Sequence, residues 1–165
     1  MAATEHGGPK ALSADEEAVW RAFSRVMLVA PRAVEADLLE TSRLNFTEYH
    51  VLAYLSEQPD RTLRMSSLSE LGSLSPSGMT RVVERLTRQG LIERRRSPDD
   101  GRGQIAVLTA EGMNRLRAAW PEHVQSVRAR VMDHLDVLDR EPLLAALTAI
   151  IAACAQDSHR WGPAS

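Results

Sequence analysis

The stretch LSPSGMTRVVERLTRQGLIER, residues 74–94, predicts an amphipathic helix with a defined beginning and end. Ser75 is a favourable N-cap, Pro76 suits the first helical position, and Gly90 suits the position just beyond a helix end. At helical spacing the apolar side chains share one face: Met79, Val82, Val83 and Leu86. The opposite face carries Ser77, Arg81, Arg85 and Arg88. The stretch therefore predicts a helix that packs through one face and exposes arginines on the other.

The neighbouring segments predict a helix-turn-helix followed by a β-hairpin. A short helix over residues 67–71, capped by Ser66, reaches the second helix through a tight turn at residues 72–74. After Gly90, the alternating segments 91–94 and 104–108 enclose the Asp/Gly-rich stretch 99–103, which indicates a hairpin. A short extended piece is expected around Leu63. The predicted fold class is mainly α with a small β-hairpin wing.

Helices are also predicted on both sides of this centre. Capping boxes that begin at Ser13 and at Asn45 predict the starts of two helices. Pro31 is expected to kink or interrupt the helix that contains it, because proline lacks a backbone N–H, and a break is expected at Pro121. The helix before the last is expected to reach about residue 135, and the last helix to run from an Asp139 cap to about residue 155. Residues 1–12 lack periodicity and are expected to form a disordered tail.

Composition and charge favour a globular protein with a basic middle segment. Of the 165 residues, 44% are hydrophobic and 25% are charged, which is typical of an ordinary folded domain. The formal net charge is −2, yet residues 60–103 carry nine arginines against six acidic residues. Basic segments attract phosphates, although a charged stretch is often only a solvated face. Within this segment the arginines at 94, 95 and 96 are consecutive.

Several classes of protein find no support in the sequence. The single cysteine, Cys154, excludes a disulfide framework and a cysteine-rich zinc site, and we expect it to be buried on the apolar face of the last helix. No apolar run approaches the roughly 20 residues that cross a bilayer, and no secretory signal is visible. The histidines are scattered, and no nucleophile–base pair is present. We therefore expect a cytoplasmic, non-enzymatic protein without metal, cofactor or membrane partner.

Residues 74–94, together with Asp100-Gly-Arg102 and the closing stretch at 108–112, resemble the MarR family of bacterial transcription regulators. The resemblance is specific over about residues 44–112. It implies a homodimer that binds a palindromic operator in double-stranded DNA. The winged helix-turn-helix lobe would comprise residues 44–109. The N- and C-terminal helices, residues 13–43 and 110–157, would interlock between subunits as a dimerisation region.

The resemblance also implies roles for residues of the 76–89 helix, which would lie in the major groove. By position, Ser77, Thr80 and Arg81 would contact bases, whereas Ser75 and Arg85 would contact phosphates. The same segment, seen without the resemblance, is also compatible with an ordinary solvated helix face.

In the wing, the resemblance implies that Arg102 enters the minor groove and that Asp100 holds it in place. Family wings often carry a second basic residue beside this arginine, whereas here Gly101 and Gly103 flank it. The wing loop is therefore expected to be less charged than in many relatives.

Members of the family hold aromatic or phenolic effectors between the dimer helices and the DNA-binding lobe. Trp20, Met27, Tyr49 and His50 would line such a site here, or would simply fill the core. The sequence thus predicts a DNA-binding regulator, a repressor released by a small effector. Two alternatives stay open: a winged-helix module that binds acidic protein surfaces, and a thiol-responsive regulator that uses Cys154.

Overall fold

The computed structural model describes residues 10–97 and 103–157, and the chain divides into two compact units, of which the first ends at Ser126 and the second begins at Val127. The elements in chain order are α1 (Ala14–Ser42), α2 (Phe46–Ser56), β1 (Thr62–Arg64), α3 (Met65–Leu71), α4 (Pro76–Arg88), β2 (Ile92–Arg96), β3 (Gln104–Leu108), α5 (Ala110–Arg130), a 3₁₀ turn (Met132–His134) and α6 (Arg140–Asp157). The predicted class, mainly α with a winged helix-turn-helix, is confirmed.

Local capping chemistry sets the starts of three helices as the sequence predicted. At α1, Ser13 N–H donates to Glu16 Oε2 over 2.7 Å, and Glu16 N–H donates to Ser13 Oγ over 3.3 Å. The same reciprocal box joins Asn45 and Glu48 at the start of α2. At α4, Ser75 Oγ accepts from Gly78 N–H over 3.1 Å. Each cap satisfies backbone donors that a helix start leaves unpaired.

The expected break at Pro121 is wrong, and Pro31 does not interrupt its helix. Both prolines lie inside continuous helices, α1 and α5. A proline removes one backbone hydrogen bond, but packing on both sides of it can hold the helix together. In α1, Val34 and Leu38 beyond the proline are buried. In α5, Ser126 Oγ beyond the proline donates to Asp37 Oδ2 over 2.5 Å.

Two other predicted boundaries also differ from the structure. The helix expected to begin after Ser66 begins at Met65, and its N-cap, Arg64, makes no side-chain capping bond. Strand β1 ends at Arg64 and leads directly into α3, so the strand sets the helix start. At the other end, α5 stops at Arg130, before the predicted end near residue 135, and a 3₁₀ turn follows.

The predicted hairpin is present and belongs to a three-stranded antiparallel sheet with the order β1-β3-β2. The extended piece around Leu63 supplies β1, with Leu63 opposite Ala106 of the central strand. At the outer end of the β2–β3 hairpin, Ser97 N–H donates to Gly103 carbonyl oxygen over 2.8 Å. The sequence predicted both pieces of this sheet but not their pairing.

The core of the first unit lies between the helix-turn-helix, α2 and the sheet. Its fully buried side chains come from every one of these elements except β1: Val51, Leu52, Leu55, Leu68, Met79, Val83, Leu86, Ile92 and Ala106. The start of α5 is tied to the turn after α4 by Thr109. Its N–H donates to the Leu91 carbonyl over 3.1 Å, and its Oγ1 donates to the Gly90 carbonyl over 2.8 Å.

The second unit consists of the end of α5, the 3₁₀ turn and α6. The expectation that Cys154 is buried is wrong, because the structure places it exposed on α6. The same helix exposes Leu144 and Ile151 by 67% and 69%. An apolar stripe predicts burial only if another element covers it, and these α6 side chains are exposed in the described structure. Among the described helices, none combines the length and apolarity of a membrane span.

Gly112 lies where a side chain cannot fit. A Cβ at this position would lie 2.2 Å from the Leu91 carbonyl oxygen, whereas one at Gly90, where φ is +73°, would meet nothing within 4 Å. We expect Gly112→Ala to lower the free energy of unfolding by about 3 kcal/mol or more, because backbone must move. Gly90→Ala should cost only about 1–2 kcal/mol through its left-handed backbone. Urea unfolding of both variants compares them, and equal losses would contradict the steric argument.

Candidate nucleic-acid interface

Helix α4 divides into a buried face and an exposed face along the lines that the sequence predicted. Met79, Val83 and Leu86 are fully buried, which fixes the rotation of the helix about its axis. Ser77 and Arg81 are exposed on the other side. Within the described part of the chain, no carboxylate pairs with Arg81. Its guanidinium is therefore free to bind an outside acceptor.

Two hydroxyls predicted to contact DNA already have partners within α4. Ser75 Oγ caps the helix and lies 3.2 Å from Ser77 Oγ. Thr80 Oγ1 donates to the Pro76 carbonyl oxygen over 2.8 Å. A hydroxyl oxygen has two lone pairs, so each can still accept a bond from outside. Their first role in the structure is to hold the N-terminal turn of α4.

Arg85 has a partner inside the protein that the sequence analysis missed. Its Nε lies 2.5 Å from Glu48 Oε1, and the Glu48 side chain is only 4% exposed. Glu48 Oε2 accepts from Asn45 N–H over 3.0 Å, whereas the buried Oε1 has the ion-pair contact with Arg85 but no hydrogen bond in the described structure. The sequence showed Glu48 as the third residue of a capping box but not that its second oxygen faces α4. Arg85 thus joins α4 to α2, while 46% of its side chain stays exposed.

The wing tip lies outside the described residues. Asp100 and Arg102, the predicted minor-groove pair, both fall there. The described base of the wing is ordered by the β2–β3 ladder, whose last residue pair is Arg96 opposite Gln104. The hairpin therefore ends beside the loop that carries the predicted pair.

Tyr49 and His50, two of the predicted effector-site residues, belong to a cluster of rings. The ring centroids of Tyr49 and His123 are 4.1 Å apart, and His50 contacts Phe46, Tyr49, Tyr54 and His123. Tyr49 is buried, and neither its Oη nor Nδ1 of His123 has a hydrogen-bond partner in the described structure. The cluster therefore combines rings in tilted and edge-to-face contact with two unsatisfied polar atoms.

Burial changes the acid–base properties of this cluster. Loss of solvent raises the pKa of Tyr49 to about 12, because the phenolate is the charged form. Burial lowers the pKa of His123 below its ordinary value of 6.5, and the charge of nearby His50 lowers it further. Both rings are therefore neutral near pH 7.

The other two predicted effector residues lie on α1 and are half-exposed. Trp20 and Met27 on α1 are 54% and 48% exposed, and no described ring contact links Trp20 to Tyr49. None of the four residues lines the cleft of about 380 Å³ between the end of α1 and α5, which is formed by Thr41, Ser42, Arg43, Arg115 and Ala118. In the described ranges, no group of three or more potential metal ligands occurs.

Comparison with known proteins gives consistent similarities. A sequence model of the MarR family matches residues 44–103. The chain is 33% identical to a MarR family transcriptional regulator from Streptomyces coelicolor, whose crystal structure is a complex with DNA; the TM-score is 0.79, and the alignment covers 88% of this chain and 90% of that one.

Curated relatives in Bacillus subtilis (strain 168) are described as HTH-type transcriptional regulators. MhqR is 31% identical over 98 residues, which cover 59% of this chain and 63% of MhqR, so the match spans less than two thirds of that relative. YkoM, an uncharacterized regulator, is 31% identical over 144 residues, 82% of this chain and 90% of YkoM.

Arg85 should matter for stability as well as for any ligand. Arg85→Ala leaves the Glu48 carboxylate buried without its cation, so we expect the free energy of unfolding to fall by about 1–3 kcal/mol, reduced from the fully buried case because Arg85 is half exposed. Arg88→Ala, an exposed arginine of the same helix, is the matched control and should change it by less than about 0.5 kcal/mol. Urea unfolding measures both, and similar losses would contradict a structural role for the pair.

His123 should make stability depend on pH. Its pKa is lowered in the folded state, so the unfolded chain binds a proton at higher pH than the folded chain does. The contribution of His123 to the free energy of unfolding is complete above the pKa of about 6.5 that the side chain has in the unfolded protein. This contribution is lost as the pH falls below that value. Urea unfolding at pH 7.5 and 5.5, at fixed chain concentration, should show a smaller loss for His123→Phe than for the wild type. His134→Phe, at an exposed site, should keep the wild-type loss.

Proposed function

The chain belongs to the MarR family, and we propose that it is a sequence-specific DNA-binding transcriptional regulator that acts as a repressor. The observation that carries this proposal is α4: its apolar face is locked into the core, and its exposed face offers Ser77 and an unpaired Arg81. Such a helix presents donors to base edges when it lies in the major groove. The relative solved with DNA, at 33% identity, supports the same assignment.

Around α4 we assign the contacts by chemistry. Arg81 lies one turn after Ser77, where a bidentate contact with guanine is possible. Arg85 reaches a phosphate with the exposed part of its guanidinium while Nε stays on Glu48. Arg102, steadied by Asp100, enters the minor groove beside the same half-site. Because its target is DNA, the protein works in the cytoplasm.

We further propose a homodimer on a palindromic operator. In the first unit, α1 exposes the apolar side chains of Val19, Trp20 and Val26. In the second unit, α6 exposes Leu144, Ile150 and Ile151. Two apolar helix faces without a cover are what a dimer interface of interlocked terminal helices requires. Two copies of α4 would then meet half-sites about one helical turn, roughly 10 base pairs, apart.

We propose that a small aromatic effector releases the repressor from DNA. The support is the ring cluster around Tyr49 and His50, whose unsatisfied polar atoms are available to a phenolic or carboxylate group. Trp20 and Met27 on the exposed face of α1 would complete the site in the dimer. An effector there would act by changing the spacing of the two α4 helices, since none of these residues belongs to the DNA-binding face.

DNA binding and its dependence on Arg81 test the proposal. The protein should bind a duplex from the region upstream of its own gene as two chains per site, with affinity that falls steeply with salt, and should bind a scrambled duplex far less. Arg81→Ala should cost about 1–3 kcal/mol per half-site and relax preference at one base position. Lys10→Ala removes one charge outside the lobe and should leave both the affinity and the base preference unchanged.

The measurement is a fluorescence binding isotherm across a salt series, repeated with phenolic compounds added. Absence of salt-dependent duplex binding would overturn the proposed function and favour a protein-interaction module. Binding that no phenolic compound weakens would remove the effector assignment alone.

A further inference from the structure

The three consecutive arginines of β2 differ in their partners. Arg94 pairs with Glu84 of α4 over 3.5 Å and donates to the side chain of Gln104. Arg95 pairs with Glu93 over 2.7 Å. For Arg96, by contrast, no carboxylate within residues 10–97 and 103–157 forms an ion pair, and its side chain is exposed. The three arginines look equivalent in the sequence, but of the three only Arg96 has no ion-pair partner among the described residues.

Strand geometry places Arg96 on the same side of the sheet as α4. Side chains alternate along a strand, so residues 92, 94 and 96 share one face. Ile92 on that face is buried, and Arg94 contacts Glu84 on α4, which identifies it as the face that α4 covers. Arg96 lies two residues, about 7 Å, farther toward the wing loop than Arg94. It therefore lies at the end of β2 that leads into the wing loop, on the face that α4 covers.

We propose that Arg96 binds a DNA backbone phosphate between the groove that α4 enters and the groove that the wing enters. The inference rests on the proposed DNA-binding function. A duplex that meets both α4 and the wing must pass its sugar–phosphate strand across the wing base, where Arg96 is exposed and has no ion pair among the described residues. Arg94 and Arg95 would have to give up existing ion pairs to make the same contact, whereas Arg96 gives up only water.

The test compares neighbouring arginines of equal charge. Arg96→Ala should lower operator affinity about tenfold for the dimer at low salt, and should flatten the slope of log K against log salt by about 0.9 per half-site. Arg95→Ala removes the same charge one residue away and should change the slope by less than half as much. Arg96→Lys keeps the charge and should keep the wild-type slope. Thermal unfolding should be the same for all four proteins, since both arginines are exposed.

The possible outcomes distinguish failure of the Arg96 phosphate contact from failure of the proposed function. A flattened slope in Arg96→Ala, restored by lysine and not reproduced by Arg95→Ala, supports the phosphate contact. If the wild type binds its operator normally and the two alanine variants have equal slopes, this inference alone is overturned. If the wild type shows no salt-dependent DNA binding, the proposed function fails and the inference fails with it.

Discussion

The arrangement of the DNA-binding lobe depends on how the buried Glu48 carboxylate is neutralised. A carboxylate removed from water is costly unless both of its oxygens find partners. The Asn45 N–H donates to one oxygen, and the Arg85 guanidinium forms an ion pair with the other. Because Asn45 begins α2 and Arg85 lies in α4, this one group couples the start of one helix to the rotation of another. The exposed face of α4 is held in place by that coupling as well as by apolar packing.

What could be predicted from the sequence was local chemistry. Capping at Asn45 and Ser75 and the two faces of α4 follow from residues within a few positions of one another. What could not be predicted depends on distant residues: Pro31 is tolerated because packing beyond it holds α1, and β1 joins the sheet through β3. The prediction that Cys154 is buried was wrong, because an apolar stripe in the sequence does not show whether another element covers it.

In the candidate site, too, local features could be predicted from the sequence, whereas contacts between distant residues could not. Exposure of Ser77 and Arg81 followed from helical periodicity alone, whereas the second partner of Arg85 required the position of α2. Counting arginines likewise overstates the charge that a ligand meets, because ion pairs within the lobe neutralise part of it. Net charge along a sequence therefore measures attraction at long range, while contact specificity depends on which cations are unpaired.

The bonds of Thr109 have a mechanical consequence. Because its N–H and Oγ1 both bind carbonyls of the turn after α4, the first residues of α5 cannot turn about the helix axis without carrying that turn along. At the same junction, Gly112 lies so close to the Leu91 carbonyl that no side chain fits between them. A rotation of the first residues of α5 would therefore have to move the turn after α4, and with it the end of α4, or break these contacts.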